Sequence, residues 1–273
     1  MGRFTADWLS LREPADAAAR SEALAGMFAG SARRIVDLAS GTGANVRYLA
    51  PRLPAAQRWL AVDHDPRLLA ALPPRADAKV STLHLDLAGA LHDLPLAGCD
   101  LVTASALLDL VSGSWLARLA ARCAEVRAGV LFALTYDGRI EWLPSDPGDD
   151  LVRELVNRHQ LGDKGFGPAL GPRAAEAAAA AFGALGYEVR RVPSDWTLGP
   201  GSSPLQTALI DGWASAAAEV APAEGNALRN WAQRRRAYLA EGRSSLRVGH
   251  VDLGGRPDRR RAPAGGAGGY RHR

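Results

Sequence analysis

Three aspartates punctuate the first third of the chain, each closing a run of apolar residues. Asp37 ends Arg34-Ile35-Val36-Asp37, Asp63 ends Trp59-Leu60-Ala61-Val62-Asp63, and Asp86 follows Leu83-His84-Leu85. Short apolar runs read as buried strands, so each carboxylate stands at a strand tip. After Asp37 the chain runs Leu38-Ala39-Ser40-Gly41-Thr42-Gly43 and then enters a helix-like stretch from Ala44 to Arg52. Glycine at 41 and 43 opens dihedrals closed to other residues and lets a ligand approach the backbone. The first amides of the following helix point into the turn. Such a turn holds a nucleotide-like ligand at the carboxyl edge of a parallel sheet.

The spacing departs from the dinucleotide fingerprint. That pattern needs a third glycine three residues after the second, where this chain has Val46. Asp37 would also set a carboxylate where a pyrophosphate lies, and like charges repel. A ligand presenting an ammonium or hydroxyl group fits better. Asp63, twenty residues beyond Gly43, does not by itself separate the readings, because a nicotinamide enzyme also carries a ribose-binding acid at that distance.

Taken together, these residues resemble the class I S-adenosylmethionine-dependent methyltransferases over roughly residues 30 to 140. The family's first motif, acid-x-Gly-x-Gly-x-Gly, is matched by Asp37-x-Ala39-x-Gly41-x-Gly43, with alanine at the first glycine. The resemblance implies that S-adenosyl-L-methionine is held by Asp37, Ala39, Ser40, Gly41, Gly43 and Asn45. Asp63 would bind the ribose hydroxyls, with His64 bordering the adenosine, and Asp86 and Leu87 would lie near the adenine. Ser105 and Leu108, after the fourth strand, would line the methionine part. Plainer roles exist: Asp37 as a cap of its turn, Asp86 as an ordinary loop acid.

Apolar residues make up 47% of the 273-residue chain and aromatics 6%, enough for a large α/β core with long helices. Cys99 and Cys123 are too few for a disulfide framework or a zinc site. The start, Met1-Gly2-Arg3-Phe4-Thr5-Ala6, lacks a signal-peptide stretch, and no apolar run is long enough for a bilayer, so the expectation is a cytoplasmic protein without membrane contact. The net charge of +4 comes from the C-terminal end, where 254–273 carries six arginines against Asp258. The remainder is close to neutral, which argues against nucleic acid as the partner. That Gly- and Pro-rich tail reads as disordered.

Strands are expected near 33–38, 58–63, 79–85, 99–105, 129–136, 187–193 and 245–252. Helices fall near 43–52, 66–72, 112–127, 148–160, 173–185, 204–219 and 225–241. The alternation predicts an α/β fold, a Rossmann-like, mostly parallel seven-stranded sheet with helices on both faces. Residues 1–30 form an N-terminal cap helix, centred on Pro14 to Phe28, from which Trp8, Arg12 and Arg20 either face the ligand or sit on a solvated surface. The domain proper spans 31–253, with insertions at 137–171 and 195–241 forming a helical lid.

Catalytic candidates lie at the carboxyl edge. Tyr136 follows the fifth strand, and His159, a residue type that serves as a general base, lies within the polar cluster Asn157 to Gly167. Asp109, Tyr136, Arg158, His159 and Lys164 are the candidate substrate contacts. No Asp/Asn-Pro-Pro-Tyr/Phe motif, Pro-Cys pair, Cys-x-x-Cys or His-Glu-x-x-His pattern occurs. The expected activity is methyl transfer to an oxygen or nitrogen of a small molecule. The rival readings are an RNA or protein methyltransferase and a non-catalytic adenosine-ligand binder. The sequence leaves the oligomeric state open.

Overall fold

The computed structural model describes residues 5–73 and 78–258 of the chain. Its strands are β1 (Arg34–Leu38), β2 (Gln57–Asp63), β3 (Ala78–His84), β4 (Leu101–Ser105), β5 (Gly129–Leu143), β6 (Tyr187–Pro193), β7 (Trp196–Leu198) and β8 (Ser245–Pro257). The helices are α1 (Ala6–Ala19), α2 (Glu22–Gly26), α3 (Ala44–Leu49), α4 (Pro66–Ala70), α5 (Gly113–Glu125), α6 (Asp149–Gln160), α7 (Ala174–Ala184), α8 (Ser203–Val220) and α9 (Gly225–Ala240). One sheet runs in the order β3-β2-β1-β4-β5-β8-β6, and β7 pairs with β8. The pairs among β1 to β5 are parallel, while β8 runs antiparallel to β5, β6 and β7.

Side-chain alternation along the strands builds the two faces. Ile35, Leu101 and Leu131 point into one cluster with Leu24, Phe28, Val46 and Leu49 from α2, α3 and the turn between α2 and β1. Val36, Leu38, Val102, Val130 and Phe132 join the opposite cluster with Trp115 and Leu119 of α5 and Ala178 and Phe182 of α7. A third cluster packs α6, α8 and α9 around Trp142, Trp196 and Val248 at the far end of β5, β7 and β8. Its buried cation, Arg235, is paired with Asp149 and donates to the Pro144 carbonyl at 2.7 Å. The order of the sheet reverses at β1, which has β2 on one side and β4 on the other. In such sheets the ligand crevice lies outside the carboxyl ends of the strands at that reversal.

Four departures from the sequence expectation have local causes. The leading helix is two helices: Arg20 takes extended dihedrals, and Ser21 then caps α2, its hydroxyl accepting from the Leu24 amide. Strand β5 continues past Tyr136 to Leu143 because β8 pairs with it throughout, across two register shifts. The lid segment therefore begins beyond Leu143 rather than at Asp137. The stretch 195–241 opens with β7, which lies along β8 in line with β6. Finally, Gly254–Pro257 completes β8 by pairing with β6, so the tail expected from 254 loses its first four residues to the sheet. Residues 259–273, and with them most of the expected basic tail, lie outside the described residues.

Candidate functional site

A cavity of about 390 Å³ opens at the carboxyl ends of β1, β2, β3 and β4. Its floor is the turn after β1, where Ala39, Ser40 and Gly41 border the space. The turn is tight: φ is +50° at Ala39, +54° at Gly41 and +82° at Gly43. A Cβ built on Gly41 would lie 2.9 Å from Leu9, and one on Gly43 would lie 2.6 Å from Leu72. Ala39 holds a left-handed conformation that costs a non-glycine residue of order 1–3 kcal/mol, strain that sits at the floor of the cavity. Gly43 itself does not border the cavity; it caps α3 and so aims that helix.

Asp37 is fully buried and does not reach the cavity. Its carboxylate accepts from the Ser40 hydroxyl at 2.7 Å and from Asn45 Nδ2 at 2.5 Å. Burial raises its pKa to about 6 against these bonds. The acid thus acts through Ser40 and Asn45, which do line the cavity. Asn45 Nδ2 also donates to Thr103 Oγ1 at 3.1 Å, and Asn45 Oδ1 accepts from Arg20 Nη1 at 2.6 Å.

Asp63 borders the cavity directly. Its Oδ2 accepts from the Gly41 amide at 2.8 Å, and its Oδ1 accepts from the Asp65 amide at 2.9 Å. His64 lies beside it, Nδ1 being 3.2 Å from Asp63 Oδ1. Asp86 lines the next section from an exposed position, accepting from the Ala88 amide at 3.0 Å. Leu68, Leu85 and Leu87 supply apolar walls there. All three strand-tip acids therefore converge on one crevice, two of them at its surface.

At the end of β4, Ser105 borders the cavity together with Ala106, Leu107 and Leu110. Leu108 does not: it is 1% exposed and packs in the α5–α7 cluster, because the single 3₁₀ turn at 108–110 points it inward. Asp109 is likewise buried away from the cavity. Burial raises its pKa to about 6, opposed by its own and Tyr136's backbone amides and by Arg12.

The catalytic candidates are elsewhere. Tyr136 is buried and does not border the cavity, its hydroxyl donating to Asn157 Oδ1 at 2.8 Å and its ring against His250. His159 turns toward α8, with Nε2 3.1 Å from Glu219 and Nδ1 3.2 Å from Lys164 Nζ. Arg158 borders a separate open groove with Asn157 and Arg173. The polar cluster 157–167 reaches the cavity only through Gly165 and Phe166. The helix geometry of α6 carries His159 to the outer side, and the glycine-containing loop returns Phe166 to the Trp115 ring, 5.3 Å away.

The leading helix supplies a roof, on which Arg12 is an expected ligand-facing residue and Leu9 and Asp16 are additions from the structure. Leu9, Arg12 and Asp16 of α1 line the cavity opposite the turn. Asp16 accepts from Arg12 at 2.9 Å and from Trp196 Nε1 of β7 at 3.0 Å, and the Arg12 guanidinium lies over the Trp196 ring. Glu13 on the same helix binds Arg47 of α3. Helix α1 is thus tied on one side to β7 and on the other to α3. Of the three leading-helix candidates, Arg12 faces the cavity, Trp8 packs against the helical cluster, and Arg20 lines an adjoining chamber. Thr42 also borders the cavity, and its buried hydroxyl has no partner.

Residues 35–128 match the family described as Methyltransferase domain. The fold is shared with a cyclopropane-fatty-acyl-phospholipid synthase-like protein from Lactobacillus casei, at 15% identity and a TM-score of 0.54, covering 92% of this chain and 94% of that one. It is shared also with a protein from Anaeromyxobacter dehalogenans described as a candidate type II methyltransferase, at 17% identity and a TM-score of 0.50, covering 87% and 96%. No curated protein matches the sequence.

Proposed function

Through the domain at residues 35–128, this chain belongs to the class I S-adenosylmethionine-dependent methyltransferases, and we propose that it transfers a methyl group to an oxygen or nitrogen of a small molecule. The residues suit the cofactor. Gly41 borders the cavity with bare backbone, the Thr42 hydroxyl is buried without a partner, and the Asp63 carboxylate has lone pairs for ribose hydroxyls. Asp86 and Leu87 would frame the adenine, and Ser40, Asn45 and Ser105 would hold the methionine part. When bound, the cofactor supplies a methyl group already activated on a sulfonium.

The chain's contribution is alignment. Holding two reactants in line is worth roughly 7–11 kcal/mol. The turn, the acids and the end of β4 fix one reactant, while Leu9, Arg12 and Phe166 close the other side and exclude water. Neither Tyr136 nor His159 borders the cavity, so alignment outweighs proton removal in this account.

The observation that carries the small-molecule reading is the roof. Helix α1, tied to both β7 and α3, covers the crevice from one side, and Phe166 flanks it from another, leaving a confined space rather than an open track for a polymer. The test is incubation with methyl-labelled cofactor and a size-fractionated cell extract. Label is expected in the low-mass fraction, with a rate nearly indifferent to added salt. Label confined to RNA or protein, with steep loss of activity as salt rises, would replace this reading.

A further inference from the structure

Beyond Asn45 the cavity continues into a second chamber of about 270 Å³, and the two share Asp16, Ala44, Asn45 and Ser105 as lining residues. Arg20, at the C-terminal end of α1, lines this chamber and is 7% exposed. The arginines around it are already engaged: Arg12 with Asp16, Arg47 with Glu13 and Arg52 with Glu22. Arg20 forms no ion pair among the described residues. Its Nη1 donates to Asn45 Oδ1, its guanidinium lies 4.2 Å from the Tyr48 ring centroid, and its buried Nε hydrogen has no acceptor. Burying a cation with an unmet donor is costly, and a guanidinium's fork matches a carboxylate.

The opposite end of the Asn45 amide points at Asp37. One side chain therefore separates a guanidinium from a carboxylate. Asp37 itself is closed off from the cavity, so a carboxylate entering along Asn45 meets the guanidinium alone, and the unpartnered Thr42 hydroxyl also borders the cavity.

We propose that Arg20 is the receptor for the carboxylate of the cofactor's amino-acid portion, and that the enzyme selects donors by that carboxylate. This rests on the methyl-donor reading above. Asn45 holds the guanidinium in position and Tyr48 fixes its plane, so the group is set before the ligand arrives and little ordering is lost on binding.

Calorimetry with S-adenosylmethionine and with its decarboxylated form, which keeps the ammonium and loses only the acid, tests this. The wild type is expected to prefer the carboxylate-bearing donor by roughly 10- to 100-fold, the range for hydrogen bonds to a charged group. Arg20→Met should lower that affinity by the same factor and leave the decarboxylated form unchanged. Arg20→Gln, which keeps a donor for Asn45, is measured alongside in case methionine unfolds the protein, and should show the same collapse of preference. Equal wild-type affinity for the two ligands overturns the proposal. So does a preference that survives in either variant, or an equal loss for both ligands, which marks Arg20 as a support of Asn45 only. Binding of neither ligand by the wild type instead removes the donor reading itself.

Discussion

Replacing Asp63 by alanine should separate the turn from its ligand. The carboxylate is nearly buried and accepts the Gly41 and Asp65 amides at 2.8 and 2.9 Å. Asp63 borders the cavity, and each of its oxygens keeps a further lone pair. Hydrogen bonds to a charged acceptor contribute about 1.5–3 kcal/mol each. Losing two ribose contacts therefore costs about 3 kcal/mol or more, at least a hundredfold in Kd at 1.4 kcal/mol per decade. The Gly41 amide, left without its acceptor in the buried turn, adds about 1–3 kcal/mol of instability, a fall of a few degrees in Tm for a chain of this size. Asp63→Asn should fare little better. Both carboxylate oxygens accept backbone N–H groups, so the amide nitrogen must face a donor. Titration calorimetry with S-adenosylhomocysteine, with circular dichroism to confirm folding, reads the effect. Affinity within threefold of wild type in a folded Asp63→Ala variant would refute the assignment.

Other consequences follow from the same geometry. Gly43→Ala places a Cβ 2.6 Å from Leu72 at φ +82°; a loss of about 1–3 kcal/mol is expected in urea denaturation, with weaker cofactor binding because α3 shifts. Asp109, with its pKa raised to about 6 by burial from about 3.9 in the unfolded chain, binds its proton more tightly when folded. Its contribution to stability is therefore present below about pH 4 and declines as pH rises through 6. Asp109→Asn should remove about 2–3 kcal/mol of the stability difference between pH 4 and pH 7, and parallel denaturation curves at the two pH values will show it; an unchanged difference contradicts the burial argument. His159→Ala, at a position turned toward Glu219, should leave cofactor affinity within twofold and its pH dependence intact, as calorimetry from pH 6 to pH 8 would show.

The sheet and the cofactor side were legible because they are written locally. An apolar run of five residues, an acid at its end and a glycine turn specify a strand and its tip without reference to distant chain. Asp63, Asp86, Ser40, Asn45 and Ser105 accordingly border the crevice. Asp37 reads as a direct contact because the pattern cannot tell a carboxylate at a surface from one behind Ser40 and Asn45. The roof depends on partners far apart in sequence. Asp16 and Trp196 are 180 positions apart, and nothing near either residue announces the other. Tyr136 follows a strand and His159 sits in a polar cluster, but strand pairing with β8 and the phase of α6 decide which way they face. Leu107 and Leu108 illustrate the same limit: adjacent apolar residues at the start of a 3₁₀ turn, both buried in the core, of which only Leu107 also borders the cavity.

The most direct measurement is a crystal structure with S-adenosylhomocysteine. The account predicts adenosine density in the crevice above residues 39–41, its ribose against Asp63 and its base beside Asp86 and Leu87. Density for a dinucleotide in that crevice, or a crevice left empty at saturating ligand, would contradict it.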